Sequence, residues 1–112
     1  MLFADELRLG HYARTLVAFE QMRQDVGEDG VLAFWPGEAY RRRDGKGDRA
    51  AARAAYARAL GYPDAPPETW RSLGLVARRE GETAAAEHAF QRYLELRPDA
   101  ADRDLIRSYV AG

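Results

Sequence analysis

The strongest constraint in the sequence is its internal repetition: GDRAAARAAYARAL, Gly47 to Leu60, lies over GETAAAEHAFQRYL, Gly81 to Leu94, with a shift of 34 residues and no gap. Glycine, alanine and aromatic positions coincide. A third copy, GHYARTLVAFEQM, sets Gly10, Phe19 and Met22 against Gly47, Tyr56 and Ala59 at a shift of 37. Gly37 and Tyr40 likewise stand 37 residues before Gly74 and Ala77, so three added residues fall in Asp44-Gly45-Lys46-Gly47. A chain with such a period folds into repeated supersecondary units, each burying its apolar stripe against a neighbour.

Each unit reads as helix, glycine-containing turn, helix. First helices are predicted near 30–43 and 67–80, and second helices near 11–25, 48–62 and 82–96. The first unit is partial, keeping only Leu2 to Leu9 of its first helix. Gly27-Glu28-Asp29-Gly30, Pro63-Asp64-Ala65-Pro66-Pro67 and Pro98-Asp99 supply the breaks. Within the second helices, Ala52, Tyr56 and Ala59, and Ala86, Phe90 and Tyr93 or Leu94, recur at helical spacing and give one apolar stripe each. Asp99-Ala100-Ala101-Asp102 is predicted to open a last helix whose face is Leu105, Ile106, Tyr109 and Val110, a cap for the final repeat.

These residues resemble the tetratricopeptide repeat family. In the stretch from about Pro67 to Ala100, Trp70, Leu73, Gly74, Ala86, Phe90 and Pro98 fall at the family's separations within a 34-residue unit. The middle copy keeps Gly37, Tyr40, Ala52 and Tyr56, with Ala33 at the tryptophan position and Pro36 at the leucine position. The first keeps Gly10, Tyr12 and Phe19 and has Thr15 where the family prefers alanine. The resemblance covers residues 2–100. It implies an all-α fold, a right-handed superhelix of helical hairpins in one domain over 1–112. Residues 2–29 are then a partial repeat, 30–66 a repeat with the insertion, 67–98 a third repeat and 99–110 the capping helix.

Composition agrees with helices and narrows function. Alanine is abundant, cysteine and asparagine are absent, and all but one of the 17 basic residues are arginine. A chain of 112 residues buries roughly two-thirds of its unfolded surface, enough for a core. The net charge of -1, with both signs interspersed, gives no bulk field for nucleic acid or an anionic membrane. No apolar stretch approaches the roughly 18 residues needed to cross a bilayer. Met1-Leu2-Phe3-Ala4-Asp5-Glu6 lacks the positive start of a signal peptide, and cysteine content leaves the compartment undecided.

Catalytic constellations are not visible in the sequence, so no catalytic, cofactor or metal residue is expected. The two histidines, His11 and His88, belong to different repeats, and neighbouring Glu87 lies about 100° around the helix from His88. Asp44-Gly45-Lys46-Gly47-Asp48 has neither the spacing of a phosphate loop nor the Glu of a calcium loop, whose place is taken by Ala55. It reads as an elongated turn with Asp48 capping the next helix. Ser72 and Ser108 have no nucleophile elbow around them, and Glu80, Glu82 and Glu87 fit a charged helix face.

The arginines suggest binding. If first helices line an inner surface, as the resemblance implies, Phe34, Glu38, Arg41, Arg42, Arg71, Leu75, Arg78 and Arg79 form a groove for an acidic or carboxylate-ended peptide, gripped bidentately by guanidinium. The alternative is that cations gather at helix C-termini because of the helix dipole. Trp70 is expected in the core, whereas Trp35 either packs between repeats or stands exposed as an anchor. The expected function is therefore a scaffold or adaptor binding a protein or peptide. Two further readings stay open. Asp64 to Gly74 and Tyr93 to Arg103 resemble the tails of exported bacterial zinc metallopeptidases, implying an accessory domain of a periplasmic enzyme whose HExxH lies elsewhere. Alternatively, a thinly covered N-terminal edge at Phe3, Leu7 and Leu9 pairs with a second copy of the chain as a homodimer.

Overall fold

The computed structural model describes residues 2–111, with side chains from Phe3 to Val110; Met1, where the expected domain and the hexapeptide above begin, and Gly112, where the domain ends, lie outside it. The described residues form seven helices and no strand: α1 Leu2–Arg8, α2 Tyr12–Val26, α3 Gly30–Arg43, α4 Asp48–Leu60, α5 Glu68–Arg79, α6 Thr83–Leu96 and α7 Arg103–Ala111. The fold is all-α. Where the sequence suggests one domain, the chain divides into two compact units, Met1–Pro66 and Pro67–Gly112.

In the first unit, α3 packs on α4, α2 packs on α3, and α1 lies against both α2 and α3. Glycine sets the turns into second helices: Gly10, Gly47 and Gly81 all have φ between 75° and 80°, a left-handed conformation that a β-carbon opposes. Asp29 caps α3 by accepting the Leu32 N–H at 2.8 Å, the side-chain cap that helix starts favour. The same helix continues through buried Pro36, although an interior proline removes one helical hydrogen bond.

Packing of α3 on α4 turns on a missing side chain. A β-carbon at Gly37 would come within 2.4 Å of Tyr56 Cε1, so the tyrosine ring lies directly on the α3 backbone. Ala39, Ala52, Tyr56 and Ala59 are fully buried there. Small residues let the helix axes approach and thus fill the interior at crystal-like density.

Within the second unit the same contact recurs: a β-carbon at Gly74 would meet Phe90 Cε1 at 2.5 Å. Phe90 joins Ala77, Ala86, Tyr93 and Ile106 in a buried cluster, with Trp70, Leu94, Tyr109 and Val110 packed around it. Ile106 and Tyr109 come from α7, which packs on α6. That last helix begins at Arg103, four residues later than its acidic opening suggests. Asp99 to Asp102 form turns instead, and Asp102 accepts the Tyr93 hydroxyl at 2.7 Å.

Candidate functional site

Four of the eight expected groove residues belong to the first unit, and one of them, Glu38, gathers two others, Arg41 and Arg42. Glu38 sits on the α3 face turned toward α4 and is 1% exposed. Its Oε1 accepts the Tyr56 hydroxyl at 2.8 Å. Its Oε2 accepts from Arg41 Nη2 at 2.9 Å and Arg42 Nη2 at 3.3 Å, while Arg41 Nε reaches the Tyr56 oxygen at 3.3 Å. Burial of an ionised carboxylate requires such partners. Burial also raises the Tyr56 phenol well above its ordinary range, with the Glu38 charge adding to the effect. Phe34 is buried too, edge to face with Trp35 and tilted against Tyr56. Phe34 and Glu38 are therefore interior residues rather than a groove lining, because the helix hairpin closes over both.

The other four lie in the second unit. Arg71 pairs with Asp102 at 3.5 Å and stands over the Tyr93 ring. Arg78 lies over the Tyr109 ring, 4.1 Å from its centroid. Leu75 packs against the core of its own unit, and Arg79 is an exposed residue ending α5. Arg41 thus reaches Tyr56, Arg71 reaches Asp102 and Tyr93, and Arg78 reaches Tyr109, all residues of other elements in their own units, whereas Arg42 pairs with Glu38 of its own helix.

The Asp44 to Asp48 turn is tied similarly. Asp48 accepts from Arg43 Nε and Nη2 at 2.8 and 2.9 Å and from the Gly45 N–H at 2.8 Å. Arg43 first, then the Gly45 amide, lowers its carboxyl from 3.8 to about 2. Asp48 secures the turn, whereas the N-cap position of α4 is Gly47 with no side-chain bond.

A concavity unrelated to the expected groove lies elsewhere in the first unit. A cleft of about 560 Å³ is lined by Phe3 of α1, Met22 and Val26 of α2, the Gly27-Glu28-Asp29 turn, and Val31, Leu32 and Trp35 of α3. Its size falls within the usual range for binding pockets, roughly 300–1,000 Å³. Trp35 stacks on Phe3 with centroids 5.7 Å apart, so one face packs while the residue also lines the cleft. At the rim Val26 is 76% exposed and Val31 45%. Phe3 and Leu7, expected to be thinly covered, are buried at 4% and 2%, while Leu9 is 64% exposed.

One wall of the cleft carries charge. Glu28 Oε2 accepts from Arg58 Nε at 2.7 Å and from the Tyr62 hydroxyl. Burial pushes this carboxyl up, but the bonds from Tyr62 and Arg58 and the Arg58 charge outweigh it and hold it below the usual carboxylate range. Sequence reasoning missed this cleft. Val26 and Val31, apolar residues directly flanking the acidic Gly27–Gly30 turn, were the available signal.

His11 meets Glu6 at 2.8 Å, and His88 packs edge-on to Trp70. Among the described residues no three His, Cys, Asp or Glu side chains converge as a metal site, and no helix is long and apolar enough to cross a membrane. Compared with known proteins, the chain matches no family model and no curated relative.

Proposed function

We propose that this chain is a protein-docking module built of tetratricopeptide-type helical hairpins, and that its docking surface is the apolar cleft of the first unit. The family reading is supported by the equivalent contacts of Gly37 with Tyr56 and of Gly74 with Phe90, at positions that correspond in the sequence. One observation carries the docking reading: a concavity walled by Phe3, Leu32 and Trp35 is open at a rim of exposed Val26 and Val31. Apolar side chains exposed around a cleft are most economically explained by a partner that covers them. Each aliphatic anchor an occupant buries contributes roughly 1.5–3 kcal/mol, from which the cost of association is subtracted. Such a site suits a reversible contact.

The paired arginines argue against an arginine-lined groove as the main contact. Capture on the immobilised protein tests the choice. Val26→Asp combined with Val31→Asp is expected to release the retained partner, while Arg71→Glu combined with Arg78→Glu keeps it. The opposite pattern would return the binding surface to the arginines.

Self-association is a second reading, favoured by Leu9 and Val17, exposed at 64% and 70%. Light scattering at several concentrations distinguishes it, because a second copy as occupant makes the apparent mass rise with concentration.

A further inference from the structure

We infer that the occupant of this cleft is an amphipathic protein segment presenting apolar anchors beside a basic side chain, a proposal that rests on the docking reading above. The polar residues lining the cleft are Glu28 and Asp29, both acids, and no cation lines it. The surrounding stretch, residues 20–31, holds Glu20, Asp25, Glu28 and Asp29 against a single arginine, Arg23. Arg58 of α4, which is not among the lining residues, engages one oxygen of Glu28. The other, Oε1, is buried without a hydrogen-bond partner, in a side chain 6% exposed.

This combination selects an occupant by charge as well as shape. A carboxylate withdrawn from water and half-satisfied gains from any cation brought near it, because the apolar walls screen the attraction less than solvent does. Arginine and lysine suit the cleft in both their parts. Their methylene stems lie along walls such as Val26, Val31 and Trp35, and their charged heads reach the acidic turn. An acidic segment would meet like charge at a poorly solvated wall, which discriminates against it. The preference is the reverse of that expected from the arginines alone.

Fluorescence anisotropy on the whole chain tests the inference, with a short labelled peptide of leucine at helical spacing and arginine between. One twin carries glutamate for arginine, and another carries serine for leucine. The arginine peptide is expected to bind, with both twins weaker by about tenfold or more. Raised salt and Glu28→Gln should each narrow the gap between the two charged forms. Should Glu28→Gln lose helical content, Asp25→Asn, at an exposed position, serves instead. Equal binding of both charged peptides, lost in the Val26→Asp, Val31→Asp variant, overturns the basic partner and leaves the docking reading standing. Arginine-peptide binding unaffected by that variant overturns both, and failure of the arginine peptide to bind overturns the inference. Self-association that excludes the peptide overturns it in favour of a second copy.

Discussion

Gly37 and Gly74 show how one absent atom sets a helix pair. Replacing an unobstructed helical glycine with alanine gains up to ~1 kcal/mol. Here the new β-carbon meets an aromatic ring that is itself fully or almost fully buried, Tyr56 at 0% and Phe90 at 1% exposure. We expect Gly37→Ala and Gly74→Ala each to lose about 1–3 kcal/mol through overpacking, read as a lower urea midpoint at unchanged slope. A gain in either would mean that the ring is not seated on the backbone. The correspondence of Gly37 with Gly74 and of Tyr56 with Phe90 was legible from the repeat. The seating of each ring on its glycine was not, because residues 16 to 19 apart meet only once the hairpin closes. Nor was the burial of Glu38. In sequence, Glu38 followed by Arg41 and Arg42 reads as part of a groove lining, and its deciding partner, Tyr56, lies 18 residues away. The phenol provides a further test. Burial, then the Glu38 charge, raises it above the ordinary value of 10.0, and Tyr62 and Tyr93 shift in the same direction. The folded chain therefore keeps protons that the unfolded chain sheds near pH 10, and this stabilisation, complete below that pH, declines as pH rises further. The loss of stability above pH 10 should be shallower in Tyr56→Phe, and an unchanged slope would contradict the assignment.

Among elements, the bounds of α3 were fully legible because glycine and aspartate mark its ends, and α5 and α6 fell within a residue or so of expectation for similar reasons. The start of α7 was not, because Asp99 and Asp102 look like helix-opening acids while Asp102 is engaged by the Tyr93 hydroxyl. The inserted turn is an element that acid should loosen. Its Asp48 carboxyl, lowered from 3.8 to about 2 chiefly by Arg43 and then by the Gly45 amide, stabilises the folded state fully above about pH 4. That contribution is lost as pH falls toward 2, where the folded state also takes up the proton. Asp48→Asn is expected to unfold more readily at neutral pH and to lose less stability between pH 4 and 2. Equal acid sensitivity in variant and parent would show that the Arg43 and Gly45 contacts are not holding the turn.

For the molecule as a whole, helical class was legible from the repeat, and the division at Pro66 and Pro67 falls where proline punctuation marked a repeat boundary. The docking surface was not legible. Arginines drew attention because they are numerous, yet a sequence does not reveal that Glu38, Tyr56, Asp102, Tyr93 and Tyr109 engage several of them. The cleft instead depends on three segments meeting, namely α1, the end of α2 with its turn, and α3. The most direct measurement of whether this cleft receives a protein is site-specific photocrosslinking in the source cell, with the reactive side chain at position 26, 31 or 78. The account predicts adducts with another protein from positions 26 and 31 and none from 78; adducts from 78 alone would contradict it.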